Sequence, residues 1–94
     1  MSAAPTPAEL AILTEIARVY VTQGIPPTTR ELAEFLGFRA GKGRATSTNW
    51  VAECIARLER KDLLTRYPGK ARGVLLTPAG RRWCPQFAAA EVAP

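Results

Sequence analysis

Residues 39–58 read RAGKGRATSTNWVAECIARL, and this stretch decides how the rest of the chain is interpreted. Its first half contains three cations and two glycines, a composition that favours neither a stable helix nor a stable strand. The apolar residues of its second half recur at helical spacing: Val51, Cys54, Ile55 and Leu58. The stretch therefore predicts a basic loop that leads into a helix with one buried face.

The residues upstream predict a first helix with well-marked ends. Thr6 and Glu9 have the spacing of a capping box, in which a hydroxyl and a carboxylate satisfy amide groups of the first turn. Pro7 suits the first helical position, and Gly24 suits the left-handed residue that follows a helix. We expect this helix to be structural and to follow a flexible N-terminus of residues 1–6.

A second, shorter helix is predicted after the connector Ile25-Pro26-Pro27, which its two prolines hold extended. Thr28 and Glu31 repeat the capping-box spacing, and we expect Gly37 to close this helix after Leu36. A helix, a rigid connector and a short helix therefore precede the basic loop.

Helical spacing turns Phe35 of the second helix toward solvent, whereas Leu36 points inward and Phe38 lies just beyond it. One interpretation is that Phe35 packs under the long loop or the C-terminal tail. The other is that it belongs to a surface for a protein partner, although a single exposed aromatic residue does not define such a surface.

Downstream of the loop, Ser47 or Thr48 is expected to cap a third helix that runs to about Lys61. Residues 63–77 contain two short β-prone segments around a glycine-containing turn, which predicts a hairpin with a cationic tip. A short helical turn and a C-terminal tail, residues 85–94, complete the chain.

The charge of the chain is divided unevenly along the sequence, whose formal net charge is +5. Residues 1–38 contain two basic and four acidic residues, so they carry −2. Residues 39–94 contain eleven basic and four acidic residues, so they carry +7. Such asymmetry is typical of a nucleic-acid-binding surface, although an ordinary solvated surface can carry the same charge.

Composition argues against several classes of protein. No apolar segment approaches the ~18 residues of a membrane helix, and the N-terminus lacks a secretory signal, so we expect a cytoplasmic location. The absence of histidine removes the commonest general base and leaves a zinc site dependent on carboxylates. Cys54 and Cys84 lack CxxC spacing and are expected to be free thiols. We therefore predict no metal site, no cofactor and no enzyme.

The order of elements predicts a mainly α-helical fold with a small β-hairpin, namely a winged helix-turn-helix over residues 7–84 with its wing at 63–77. In this fold the third helix lies in the major groove of double-stranded DNA, where its first turns meet base edges. Residues 39–46 would form a basic loop inserted between the second and third helices.

Thr48, Asn49 and Glu53 project from the first turns of the third helix and are candidate base contacts. Asparagine pairs with adenine, and glutamate accepts a hydrogen bond from cytosine. Glu53 could instead form an ion pair with Arg57 on a solvated face. Trp50 either contacts a sugar or a thymine methyl group, or folds back over the loop as a lid on the core.

Phosphate contacts are predicted from cations of the loop and the wing, and from the start of the second helix, whose amide groups favour anions. These candidates are Thr28, Arg39, Lys42, Arg44, Arg66, Lys70 and Arg72. Neutralisation of about six phosphates gives a log–log salt slope of roughly −5 per protomer.

Residues 24–39, GIPPTTRELAEFLGFR, resemble the G-x-P-P-T-x-x-E-I-A-x-x-L-G-F-R signature of the LexA repressor DNA-binding domain. Residues 58–64 resemble that family's L-x-x-K-G segment and its hydrophobic pair, and residues 69–73 resemble its wing motif G-x-x-R-G. The resemblance covers about residues 7–77. It implies a winged helix-turn-helix that binds operator DNA as a dimer and represses transcription.

The resemblance also implies base-reading residues at the Ser-x-Asn opening of the third helix. In this sequence they fall on Ser47, Asn49, Trp50, Ala52 and Glu53. Serine, asparagine and this glutamate match the family pattern, whereas Trp50 and Ala52 do not. We therefore expect a different operator sequence.

Two departures from the family limit what carries over. The family joins its second and third helices by a short turn, whereas here AGKGRAT separates Arg39 from Ser47. The family also has a C-terminal self-cleaving protease and dimerisation domain, for which we expect no counterpart here. We expect no self-cleavage, and a homodimer would need the chain's own surface. Trp83 and Phe87 are the candidate dimer contacts, unless they close the bottom of the core.

Three functions are compatible with these features. The first is a small sequence-specific DNA-binding protein that represses transcription. The second is a winged-helix module that binds a protein and inhibits a nucleic-acid enzyme. The third is a non-specific DNA-binding accessory protein, which needs the phosphate contacts but no base readout.

Overall fold

A computed structural model describes residues 4–41, 43, 46–67 and 72–84. The elements in chain order are α1 Pro7–Gln23, α2 Thr29–Arg39, α3 Thr48–Arg60, β1 Leu64–Arg66, β2 Val74–Leu76 and α4 Pro78–Arg81. This order confirms the predicted mainly α-helical fold with a small β-hairpin. Among the described helices, none has the length and apolar character needed to cross a membrane.

Helix α1 begins and ends where the sequence predicts. The Thr6 hydroxyl accepts a hydrogen bond from the Glu9 amide at 3.2 Å, and the Glu9 carboxylate accepts one from the Thr6 amide at 3.0 Å. Gly24 follows the helix with φ of 76° and donates its N–H to the Tyr20 carbonyl. This left-handed conformation favours glycine because it has no Cβ.

Helix α2 starts at the predicted capping box but ends later than predicted. The prediction that Gly37 closes the helix is wrong, since Gly37 is buried inside α2 and the cap is Ala40. The helical hydrogen bonds continue past Gly37, and the Ala40 amide donates to the Leu36 carbonyl at 3.0 Å. Gly41, with φ of 77°, supplies the left-handed conformation instead.

The two phenylalanines of α2 differ in solvent exposure from what the sequence predicts. Phe35, which was predicted to face solvent, is half-buried, whereas Phe38 is 60% exposed. Phe38 follows the buried residues Leu32 and Ala33 by six and five positions of a continuous helix. That spacing places Phe38 on the side of the helix opposite to them.

Helices α1, α2 and α3 pack around one hydrophobic core, to which the hairpin also contributes. The most deeply buried apolar residues are Ile12, Leu13, Ile16, Ala17, Leu32, Ala33, Val51, Cys54, Ile55, Leu58, Leu63, Leu64 and Cys84. The four from α3 are those that the sequence assigns to its inner face. Burial of this stripe fixes which side of α3 remains available to a ligand.

The strands β1 and β2 pair in antiparallel register, with Leu64 opposite Leu76 and Arg66 opposite Val74. Asp62, between α3 and β1, has φ of 60°, a left-handed conformation that aspartate tolerates better than most residues. The hairpin is shorter than the predicted wing of residues 63–77, and its predicted cationic tip lies outside the described residues.

Helix α4 packs the end of the described chain onto the core. The Thr77 hydroxyl caps it by accepting from the Gly80 amide at 3.1 Å. Cys84 is fully buried and its Sγ lies 3.6 Å from the Leu13 carbonyl oxygen, whereas Trp83 is 44% exposed. Cys84, and not Trp83, therefore closes this part of the core. Phe87 lies outside the described residues.

Candidate nucleic-acid interface

The first turns of α3 present a polar surface. Ser47 is the N-cap, and its hydroxyl accepts from the Trp50 amide at 3.3 Å. Thr48, Asn49 and Glu53 are exposed, and Ala52 is half-buried. Because the opposite face of α3 is buried in the core, these side chains point away from the protein. The structure thus places the predicted base-contacting residues together on one exposed surface.

Trp50 lies at the edge of this surface and does not cover the core. Trp50 is 37% exposed and lies outside the buried cluster, which favours a surface position over the alternative in which it is a lid on the core. It lines an open cavity of about 530 Å³ between the end of α2 and the start of α3. The residues around this cavity are Leu36, Arg39, Ala40, Thr46, Ser47 and Trp50. The indole therefore belongs to the exposed surface.

The loop between α2 and α3 is attached to α2 just before α3 begins. The Thr46 amide donates to the Ala33 carbonyl at 2.9 Å. Gly43, earlier in the loop, has φ of 68°, a conformation that glycine adopts without strain. The hydrogen bond from Thr46 fixes the point at which the chain enters α3, and so contributes to the orientation of its first turn.

The C-terminal half of α3 is held by a carboxylate from α1. Glu9 is only 1% exposed, and its Oε2 lies 3.1 Å from Nε of Arg57. Its Oε1 lies 2.5 Å from Nζ of Lys61, whose ammonium also donates to the Ala4 carbonyl at 3.3 Å. Glu9 therefore joins the start of α1 to the last turns of α3.

The pKa of Glu9 is lowered by these contacts. Burial alone would raise it, but hydrogen bonds from Lys61, the Thr6 amide and Arg57 together outweigh burial. The pKa of Arg57 is raised, chiefly by its hydrogen bond to Glu9. Glu9 is therefore an ionised carboxylate at neutral pH, and its charge is compensated by two cations.

This arrangement excludes one interpretation of Glu53. Arg57 was a candidate partner for Glu53 one turn away, but its guanidinium contacts Glu9 and Sγ of Cys54 instead. Within the described ranges, Glu53 has no ion pair and its side chain is exposed. Its carboxylate remains available as a hydrogen-bond acceptor.

The predicted phosphate-binding residues differ in their surroundings. Arg39 and Arg66 are exposed, and neither has an ion pair with another described residue. Thr28 is half-buried at the start of α2. Lys42, Arg44 and Lys70 lie outside the described residues.

Arg72 differs from the other cations because it is paired inside the protein. Its Nη1 and Nη2 lie 2.8 Å and 3.0 Å from the two carboxylate oxygens of Glu31, a bidentate pair. Nη1 also donates to the Pro26 carbonyl at 2.9 Å. The pKa of Glu31 is lowered, first by Arg72 and then by the Thr28 amide. The wing is thus joined to the connector and to the start of α2.

Both cysteines are free and buried. Burial raises the pKa of Cys54, although the neighbouring Arg57 opposes this effect, and burial raises the pKa of Cys84 to about 11. Because the thiolate is the reactive form, both act as small hydrophobic residues. No cluster of three potential metal ligands occurs in the part of the chain that the structure describes.

The sequence interpretation missed the positions of Glu9 and Glu31. Both were assigned only to capping boxes, and both do form them, but each carboxylate also binds cations more than 40 residues away in sequence. The sequence gives the charge of each residue but does not indicate a partner so far away along the chain. The local signal of a capping box does not indicate what else its carboxylate contacts.

A capped helix with a buried inner face and an exposed polar first turn, next to an antiparallel hairpin, defines a winged helix-turn-helix protein. The sequence matches the family described as the LexA DNA binding domain over residues 3–73. The chain belongs to this family, as the resemblance predicted.

Curated relatives support this assignment. The LexA repressor of Anaeromyxobacter sp. (strain Fw109-5) is 42% identical over 76 residues, which cover 81% of this chain and 30% of that protein. The LexA repressors of Shewanella sediminis and Enterococcus faecalis are each 36% identical, over 74 and 72 residues. Those matches cover 79% and 77% of this chain, and 32% and 31% of those proteins. The chain thus spans about a third of the length of these relatives.

Proposed function

We propose that the chain is a sequence-specific double-stranded DNA-binding protein that represses transcription. The observation that carries this proposal is the exposed first turn of α3, where Ser47, Asn49 and Glu53 surround a helix start whose opposite face is buried. In a winged helix-turn-helix, this turn enters the major groove. Membership of the LexA DNA binding domain family and relatives named repressors support the same function.

The polar residues of this turn have the chemistry that base readout requires. Asn49 can donate to and accept from adenine, and Glu53 can accept from the exocyclic amine of cytosine. A carboxylate here would be repelled by phosphates, so its exposure without an ion pair among the described residues favours a base contact. Ser47, Thr48, Trp50 and Ala52 complete the proposed base-contacting set.

The remaining contacts in this proposal are to phosphates. Arg39 borders the cavity beside Trp50, and Arg66 projects from β1. Thr28 lies at the start of α2, where amide groups favour anions. Lys42, Arg44 and Lys70 are proposed as further phosphate contacts on sequence grounds. These contacts would fix the position of α3 on the duplex but would not read its sequence.

The proposal includes a homodimer, a cytoplasmic location and an action by binding rather than by catalysis. Dimers of helix-turn-helix proteins place their two recognition helices on half-sites about one turn of the DNA apart. Trp83 is an exposed indole on the C-terminal side of the fold and is our candidate dimer contact, together with Phe87. Sizing of the free protein and of its DNA complex tests this part.

Selection from a random duplex library, read by gel shift and sequencing, tests the proposed function. We expect enrichment of one motif, arranged as an inverted repeat if the protein binds as a dimer. A variant with Asn49→Ala, Thr48→Ala and Glu53→Ala keeps the buried face of α3 and serves as the matched control. Salt-sensitive binding without an enriched motif would overturn sequence specificity, and no binding at low salt would overturn DNA binding itself.

A further inference from the structure

The pairing of Arg72 with Glu31 joins three parts of the chain at one point. Arg72 lies two residues before β2 of the wing, and Glu31 lies in the first turn of α2. The carboxylate oxygen Oε1 of Glu31 accepts from both Nη1 of Arg72, at 2.8 Å, and the Thr28 amide, at 2.8 Å. Since Nη1 also donates to the Pro26 carbonyl, the connector is included.

The pairing with Glu31 holds the Arg72 guanidinium against α2, so a phosphate would have to displace this carboxylate in order to bind Arg72. A bidentate guanidinium–carboxylate pair fixes both the position and the plane of the arginine. The carboxylate also accepts from the Thr28 amide, so it cannot follow the arginine away from α2 without losing this half of the capping box. A move of Arg72 to DNA would leave Glu31 uncompensated beside phosphates of the same sign.

We propose that Glu31 and Arg72 are positioning residues that set the orientation of the wing relative to α2 and α3, and that Arg72 is not a phosphate contact. This inference rests on the proposed DNA-binding function. It replaces the role that the sequence suggested for Arg72, and it gives Glu31 a role in DNA binding although its charge is negative. Arg66, in β1, remains a proposed phosphate contact of the wing.

Substitution of Glu31 by glutamine tests this inference through the sign of its effect. Glutamine preserves the capping-box acceptor for the Thr28 amide but lacks the charge that holds Arg72. Loss of an acidic residue near DNA would by itself strengthen binding. A positioning role predicts the opposite, a weakening of about fivefold on the selected site, the size expected for loss of a partly exposed ion pair.

A double-mutant cycle tests whether the two residues act through each other. We expect Glu31→Gln, Arg72→Gln and the double variant to weaken binding to a similar extent, because either substitution already breaks the pair. Independent roles would give additive free energies and thus multiplied losses in affinity. Multiplied losses, or tighter binding by Glu31→Gln, would overturn the inference.

The salt dependence distinguishes a positioning role of Arg72 from a direct contact with a phosphate. We expect Arg72→Gln to leave the log–log salt slope unchanged, whereas the matched control Arg66→Gln flattens it by about one unit. A flattening of one unit by Arg72→Gln would identify Arg72 as a phosphate contact and overturn the inference. Circular dichroism melts of all four variants establish that they are folded at the assay temperature.

Failure of this inference is distinguishable from failure of the proposed function. If the unmodified protein selects no motif, the proposed function fails before any variant is compared. If it selects a motif and the cycle shows independent effects, only the positioning role fails. Thermal stability, measured on the same samples without DNA, separates a change in binding from a change in folding.

Discussion

The guanidinium of Arg57 lies 3.1 Å from the carboxylate of Glu9, so the end of α3 is attached to the start of α1 by opposite charges. Nζ of Lys61 lies 2.5 Å from the other carboxylate oxygen of Glu9, Oε1. Arg57 lies in the C-terminal half of α3 and Lys61 follows its last residue, so both cations are away from the exposed first turn that carries Asn49. The basic half of the sequence therefore contains cations that are paired within the fold, such as Arg57, Lys61 and Arg72, and exposed cations such as Arg39, which we propose for DNA.

Substitution of Glu9 by glutamine should lower the free energy of unfolding by about 1–3 kcal/mol. Glutamine retains the capping acceptor but leaves Arg57 and Lys61 without a counter-charge. The loss stays below the ~3–5 kcal/mol of a fully buried broken pair because both cations can reach water. Urea denaturation measures the change, and Glu59→Gln, at an exposed position of α3, is the control. Equal stability of the two variants would contradict the structural role of Glu9.

Stability should fall in acid because the pKa values of Glu9 and Glu31 are both lowered from the ordinary glutamate value of 4.5. A carboxylate with a lowered folded-state pKa stabilises the fold above its unfolded-state pKa, and this contribution is lost as the pH falls through the folded-state pKa. The window therefore begins near pH 4.5 and extends below it. Urea midpoints between neutral pH and pH 3 measure the loss, with ~0.1 M salt throughout.

The Glu9→Gln variant should show a shallower dependence over the same range, since it lacks one of the two carboxylates. The stability difference between the unmodified protein and this variant should therefore shrink as the pH falls. A constant difference would mean that the ionised form of Glu9 contributes nothing to stability.

The fold could be predicted largely because its boundaries are encoded locally. The capping boxes at Thr6 and Thr28 and the left-handed Gly24 each depend on residues within one turn. The buried stripe of α3 follows from spacing along one helix. By contrast, Gly37 has the same local signal as Gly24, and only the continued hydrogen bonds of α2 show that it does not end a helix.

The site was predictable where helix periodicity alone decides exposure, as at Asn49 and Glu53. It was not predictable where a side chain depends on a remote partner. Arg57 is one turn from Glu53, but it binds Glu9, 48 positions away in sequence. Arg72 binds Glu31, 41 positions away. The surroundings of Trp50 likewise depend on where α2 ends, because Trp50 borders a cavity with residues from that end. The sequence interpretation placed the end of α2 too early.

Substitution of Gly80 by alanine should destabilise the protein by about 1–3 kcal/mol. An added Cβ would overlap the carbonyl oxygen of Leu63, so α4 would have to move away from the chain that connects α3 to the wing. Thermal unfolding measures the loss, and Arg82→Ala, at an exposed position after α4, is the control. Unchanged stability of Gly80→Ala would show that α4 contributes little to holding this segment.

Substitution of Arg39 by alanine should weaken DNA binding by a similar factor on all sequences and flatten the log–log salt slope by about one unit. Arg39 is exposed beside the start of α3 and has no ion pair among the described residues, so its loss leaves no buried charge. Titrations at several salt concentrations, on the selected duplex and a scrambled one, measure both effects. A change in preferred sequence would contradict its assignment to phosphate.

Substitution of Asn49 by alanine should cost about 1–3 kcal/mol of binding free energy on the selected duplex and little on a scrambled one. The exposed amide has no buried partner to lose, so the change acts on base readout and leaves the fold intact. Alanine also favours helix, which removes helix destabilisation as an explanation of weaker binding. Titration of both duplexes at one salt concentration measures the difference, with a thermal melt of the free variant as control. Equal losses on the two duplexes would contradict base readout by Asn49 while leaving its contact with DNA in place.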